Sequence, residues 1–173
     1  FEVINAAKTK PFGFNAFYPG PGLGGHCIPI DPFLLSWKVK KYGLNADFIE
    51  LSGKINEKMP LFVFEKIKNT LKNIDSFSKK KILLIGAAYK KNISDTRETP
   101  FIKLAELLIS KKIDFDYHDP FVKKIYISNK KILRKCINFN YSKLKKYDLV
   151  VIITDHDFYN YREILNNSNI SYL

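Results

Sequence analysis

The sequence predicts an α/β fold in which a central α-helical segment precedes an open, doubly wound parallel sheet, and three observations carry that prediction. Two short apolar runs, KILLIG at 81–86 and DLVVIIT at 148–154, have the length and character of strands buried on both faces. Helix signals separate the strand candidates, and strand–helix–strand alternation with short connections builds a parallel sheet. Ahead of them, Phe48, Leu51, Ile55, Met59, Phe62, Val63, Ile67 and Leu71 recur every three or four residues, which is one face of a long amphipathic helix.

Taken in order, the chain opens on FEVINAAK, which reads as the middle of a helix, and closes on Ser171-Tyr172-Leu173, which reads as the opening of a strand. Both ends therefore look cut, as in a piece of a longer protein. Residues 11–32 carry Pro11, Gly13, Pro19, Gly20, Pro21, Gly22, Gly24, Gly25, Pro29 and Pro32 and read as loop. A helix over Phe33–Tyr42 follows, stopped by Gly43. The long helix spans about Asp47–Leu71, with Pro60 expected to kink it or divide it in two. It suits a spacer between domains or a dimerisation element. Asn73–Lys81 reads as a linker, placing a domain boundary between residues 75 and 76, with segments 1–75 and 76–173. After the first strand, Asp95-Thr96-Arg97-Glu98 has capping-box spacing and Pro100 suits a first turn, so a helix is expected to run to about Ser110. Ile113–His118 is a second strand, Asn140–Lys145 a turn or short helix, Phe158–Leu165 a helix, and Ile170–Leu173 the beginning of a last strand.

The net charge of +12, from 29 basic and 17 acidic residues, suits nucleic acid, anionic membrane or phosphorylated small molecules. The lysines are scattered, without aromatic interleaving or basic heptads, which argues against nucleic acid. No apolar stretch approaches the roughly 20 residues of a membrane span. The two cysteines, Cys27 and Cys136, form no CxxC pair, so no structural metal is expected. The lack of a secretion signal favours a reduced, cytoplasmic setting.

Two stretches carry site signals. The turn after the first strand, Gly86-Ala87-Ala88-Tyr89-Lys90-Lys91-Asn92, has one glycine and is not the GxGxxG of a dinucleotide turn. It is expected to present Lys90 and Lys91 near the start of a helix, where a phosphate-bearing ligand fits; the alternative is a solvated loop with two ordinary lysines. In the glycine-rich loop, Cys27 is a candidate nucleophile, set among backbone N–H groups that would hold an oxyanion. The alternative for Cys27 is a small buried residue. Asp31, four positions on, lies on the same side of a starting helix and is suited to orient water or a developing charge. His26 is expected to hold structure or substrate. Cys136, His118 and His156 are read as structural, the histidines without convergent partners.

These residues bear a resemblance. The loop FYPGPGLGGHCIPIDP (Phe17–Pro32) resembles the catalytic-cysteine loop of the UDP-glucose/UDP-mannuronate dehydrogenase family. The histidine before the cysteine resembles the subgroup acting on UDP-N-acetylglucosamine or UDP-N-acetylmannosamine. INEKMP (Ile55–Pro60) is similar to that subgroup's central helix, and GAAYKKNISDTRETP (Gly86–Pro100) to the family's UDP-binding turn, in a Rossmann-like domain. The resemblance covers essentially the whole chain.

It implies a two-step, NAD-dependent oxidation of the sugar C6 hydroxyl to a carboxylate, through a thiohemiacetal and a thioester on Cys27, for surface polysaccharide precursors. It implies catalytic roles for Cys27 and Asp31, contact of Arg97 with NAD, and contact of Phe17, Tyr18, Gly24, Tyr89 and Lys90 with a UDP-sugar. It also implies a homodimer or higher homo-oligomer through the central helix. The family's N-terminal NAD-binding domain lies outside this sequence, so the chain alone is expected to be inactive. UDP-N-acetylglucosamine is the expected sugar, on the loop and Trp37, with UDP-N-acetylmannosamine and then UDP-glucose as alternatives. A non-catalytic nucleotide-sugar-binding or dimerisation module is the alternative from a different class.

Overall fold

An apolar run without polar alternation has to be covered on both faces, and Lys81–Ile85 (β1) meets that requirement, with Ile82, Leu83, Leu84 and Ile85 all fully buried. The computed structural model describes residues 1–71, 80–127, 132–169 and 171–172. In it β1 lies between β2 (Asp114–His118) and β5 (Leu149–Ile152), with β6 (Ser171–Tyr172) beyond β5. Every pairing in this sheet is parallel, in the order β2-β1-β5-β6. The fold is the mixed helix and parallel sheet of the Rossmann type expected from the sequence.

Each face of the sheet has its own cover. On one, Phe101, Leu104 and Leu108 of α4 (Pro100–Ser110) pack against Ile82 and Leu84. The same cluster takes in Phe64, Ile67 and Leu71 from the last turns of α3 (Asp47–Leu71), so the long helix is anchored to the sheet by its C-terminal end. On the other face, Leu144 of a 3-10 helix (Tyr141–Lys146), Tyr147, Tyr159 and Ile164 of α5 (Tyr161–Asn167) cover Leu83, Ile85 and Val150. Ahead of this core, α1 (Glu2–Ala7) has no buried residue, and α2 (Asp31–Lys40) buries only Ser36.

Several expectations are corrected. Helix α4 starts at Pro100 and not at Asp95: Thr99 is its N-cap and accepts from the Phe101 amide at 3.3 Å. The residue before a proline is pushed out of the helical region, and Thr99 is extended at φ −62°, ψ 135°. Pro60 does not divide α3, which runs unbroken over 25 residues. The carbonyl of Asn56, which a proline at position 60 cannot bond, instead faces Gly22 of the loop. Helix α2 starts at Asp31, with Pro32 in its first turn. Helix α5 starts at Tyr161, three residues later than expected, because Asn160 caps the amides of Arg162 and Glu163. An antiparallel pair, β3 (Lys124–Ile127) with β4 (Ile132–Lys135), was not anticipated. The expected linker lies outside the described residues except for Lys80 and Lys81, and so do the boundary at 75 and 76 and the two ends of the Ile170–Leu173 strand.

Candidate active site

The loop that bears Cys27 is held at both ends. Downstream, the Cys27 carbonyl accepts from the amides of Ile30 (3.1 Å) and Asp31 (2.8 Å), which leads the chain into α2 and puts Asp31 in the first turn. Upstream, the Gly25 amide donates to the Arg97 carbonyl at 2.8 Å. The Tyr89 ring lies against the two glycines. A Cβ on Gly24 would sit 2.5 Å from Tyr89 Cβ and 2.9 Å from the Glu98 carbonyl; on Gly25, at φ +93°, it would sit 2.9 Å from the Tyr89 ring. Only glycine allows that approach. Cys27 itself is an exposed free thiol, preceded by exposed His26.

The other half of the site is the segment after β1. The Tyr89 amide donates to the Asp95 carbonyl at 3.0 Å, folding residues 89–95 back on themselves. Asp95 grips Arg97 through Nε (2.9 Å to Oδ2) and Nη2 (2.6 Å to Oδ2), and also accepts from its amide. The Arg97 pKa is raised, chiefly by its hydrogen bonds and charge pairing with Asp95. Asp95 is correspondingly held below the usual carboxylate range.

The structure thus brings Gly24, Tyr89, Arg97 and the Cys27 loop together. It leaves Phe17 and Tyr18 apart from them: Tyr18 stacks on Phe1 at 5.8 Å, donates to Asn5 Oδ1 and accepts from Lys8, while Phe17 is 78% exposed. Asp31 and Lys90 both face solvent, and Lys90 has no ion-pair partner among the described residues. The expectation that Lys90 and Lys91 sit at a helix start is corrected. Helix α4 begins only at Pro100, and Lys91 is paired with Asp157 at 2.6 Å. A groove of about 130 Å³ lies under the loop, lined among others by Gly22, Leu23, Pro29, Pro60, Glu98 and Pro100.

Sequence reasoning missed the residues that shape the turn from beneath. Asp119, fully buried, accepts from the amides of Ala87 (2.7 Å) and Ala88 (3.0 Å) through Oδ2, and from Phe121 (2.7 Å) and Val122 (2.9 Å) through Oδ1. His156, also fully buried, meets Asp119 Oδ2 at 3.0 Å through Nε2, and its Nδ1 accepts from the Asn92 amide at 2.9 Å. His118 Nδ1 pairs with the Tyr159 hydroxyl at 2.7 Å. Both histidines therefore have partners, contrary to the sequence reading. Burial raises the Asp119 carboxyl, but the His156 bond and the amides of Ala87, Ala88 and Phe121 outweigh it and bring the pKa to about 2. Burial, aided by Lys123, lowers His118 to about 4. Desolvation pushes the half-buried Cys136 thiol up, which suits a structural cysteine.

For NAD, the amides of residues 86–89 that open the β1 turn are spent on protein acceptors, so this part of the turn does not fit a dinucleotide pyrophosphate. Arg97, which the resemblance assigns to NAD, is exposed, with its Nε and Nη2 engaged by Asp95. Among the described residues no cluster of His, Cys, Asp or Glu suits a metal, and no helix is long and apolar enough to cross a membrane.

Comparison with known proteins identifies the family and agrees with the fold. Residues 83–170 match the UDP-glucose/GDP-mannose dehydrogenase family, UDP binding domain, and residues 1–58 match the same family's central domain. A UDP-N-acetyl-D-mannosamine dehydrogenase of Methanococcus vannielii is 36% identical over 157 residues, covering 91% of this chain and 34% of the relative. That of Methanocaldococcus jannaschii is 37% identical over 159 residues, covering 92% of this chain and 33% of the relative. The chain thus spans about a third of the length of these curated relatives. The solved UDP-D-ManNAc dehydrogenase of Pyrococcus horikoshii superposes with a TM-score of 0.75 at 28% identity, over 98% of this chain and 38% of that one.

Proposed function

The chain belongs to the UDP-glucose/GDP-mannose dehydrogenase family, and from that premise we propose that it is the cysteine-bearing and UDP-binding part of an NAD-dependent UDP-N-acetylhexosamine 6-dehydrogenase. The observation that carries this reading is the docking of the Cys27 loop on the Tyr89–Arg97 segment, through the Gly25 amide and the Tyr89 ring. A nucleophile is thereby held beside a turn that offers an unpaired lysine to an anionic nucleotide.

On this reading Lys90 faces the diphosphate and Tyr89 lines the sugar end. NAD held through Arg97 would supply the hydride acceptor for C6, one NAD for each of the two oxidations. The Cys27 thiolate adds to the C6 aldehyde because an aldehyde yields hydride poorly until a nucleophile has made it tetrahedral. The thiohemiacetal becomes a thioester, and water, oriented by Asp31, releases the carboxylate and the thiol. Arg97 touches NAD, and Phe17 and Tyr18 swing towards the nucleotide when it binds.

Between the two epimers, the mannosamine enzymes among the relatives favour UDP-N-acetylmannosamine, whereas the loop and Trp37 had pointed to UDP-N-acetylglucosamine. One inverted carbon is read by few contacts. We place the parent enzyme in the cytoplasm and read its exposed apolar helical face as a homodimer interface. The chain alone should form no NADH, and detectable NADH from it would refute that.

Calorimetry of UDP against the chain tests the binding half. Saturable binding that falls at least about tenfold in Lys90→Ala supports the reading; equal binding by both, or none by the wild type, removes it.

A further inference from the structure

The first four amides of the turn after β1, those of residues 86–89, are already committed. Gly86 N donates to the His118 carbonyl (2.9 Å), Ala87 N and Ala88 N to Asp119 Oδ2, and Tyr89 N to the Asp95 carbonyl. The Ala88 carbonyl accepts from Thr154 Oγ1 at 2.6 Å. In phosphate-binding turns successive amides converge on the ligand. Here the same convergence exists, but the anion at its focus is a side chain of the protein.

His156 fixes that side chain. The Asn92 amide can only donate, so Nδ1 is the acceptor, and the proton of the neutral ring sits on Nε2, aimed at Asp119. One ring therefore ties the carboxylate beneath Ala87 and Ala88 to Asn92. Asn92, at φ +60°, is locked further by a reciprocal pair with Asp157, at 2.6 and 3.0 Å. Tyr89, Lys90 and Lys91 form the span between these two anchored points.

We propose that Asp119, oriented by His156, is a built-in anion that fills the nest formed by the Ala87 and Ala88 amides, so that a substrate diphosphate is met by side chains, Lys90 foremost, and not by those two amides. Both are positioning residues, since neither reaches the surface. The part concerning the diphosphate rests on the UDP-binding reading; the part concerning the nest does not.

The test follows the backbone NMR signals of Ala87 and Ala88 during titration with sodium formate, alongside UDP affinity by calorimetry. In the wild type formate leaves both amides unmoved. In Asp119→Ala it enters the vacated place and shifts them saturably. UDP binds that variant at least about tenfold more weakly, and formate restores at least about threefold. Rescue by a small carboxylate is not expected of a residue that merely fills space. Formate shifts in the wild type, no saturable shift in the variant, or full UDP affinity without the carboxylate would each overturn the proposal. Should Asp119→Ala not fold, His156→Phe keeps the carboxylate while removing both the ring donor to it and the acceptor for Asn92. Amides still silent to formate with UDP weakened severalfold support the proposal, and unchanged UDP affinity overturns it. If the wild type binds no UDP, the functional reading fails while the formate titration still decides the nest.

Discussion

The two ends of helix α3 meet different surroundings. Its last turns bury Phe64, Ile67 and Leu71 against the sheet, whereas its first turns leave Phe48 88%, Leu51 54% and Ile55 54% exposed. Helix α2 alongside exposes Leu34, Leu35 and Trp37. The same 3.6-residue period thus runs along one helix but is used for packing at only one end. A continuous apolar stripe of this kind indicates that a face is meant to be covered, without specifying by what. In the sheet region the cover is intramolecular; in the helical region the dimer proposal assigns it to a second copy.

Substitutions should separate the two regions. Leu104→Ala, within the sheet core, is expected to cost about 2–5 kcal/mol in urea unfolding. Leu51→Ala, the same chemistry on the exposed turns, should cost under about 0.5 kcal/mol in the monomer. Equal costs would mean that the exposed face is already covered in solution.

Acid should act most strongly on the sheet region, where the titrating groups are buried. His118 has its pKa lowered to about 4, so the folded state takes up its proton later than the unfolded chain, and stability should fall as pH drops from about 6.5 to 4. Asp119, lowered to about 2, contributes stability above its unfolded value that is lost as pH falls from 3.8 towards 2. Thermal melts across pH should show both limbs, and His118→Phe should flatten the upper one.

The junction between the regions should respond to an intermediate degree. Gly25→Ala meets both a left-handed backbone and the Tyr89 ring, at a cost of about 1–3 kcal/mol. It should loosen the loop, read as faster proteolysis within residues 11–30; an unchanged digestion rate would sever the Cys27 loop from the turn. The smallest effect on stability is expected for Phe48→Ser, within about 0.5 kcal/mol. Even so, it should lower the apparent mass in gel filtration if that face binds a second copy.

What was legible in the sequence follows the same division. The bounds of α3 and the placing of β1, β2 and β5 came from period and apolar runs, signals generated by burial itself. The β3–β4 pair was hidden because its strands are only four residues each and each is bounded by a lysine. The α4 start was misread because Asp95 and Glu98 have the spacing of a capping box. In fact Asp95 holds Arg97, and Glu98 is at φ +48°. Pro100 was the available signal, since it excludes Thr99 from the helix and marks it as the cap. At the site, Tyr89 and Arg97 stand out through their motif, whereas Asp119 and His156 lie 37 positions apart and meet only because β2 and β5 flank β1. No local pattern encodes that meeting.

The measurement that bears most directly on the account is NADH formation by the parent enzyme with UDP-N-acetylmannosamine, UDP-N-acetylglucosamine and UDP-glucose in parallel. Two NADH per sugar from one N-acetylhexosamine, abolished in Cys27→Ala, is the predicted result. A parent that binds UDP yet reduces no NAD with any of the three, or that works equally well without the Cys27 thiol, would contradict it.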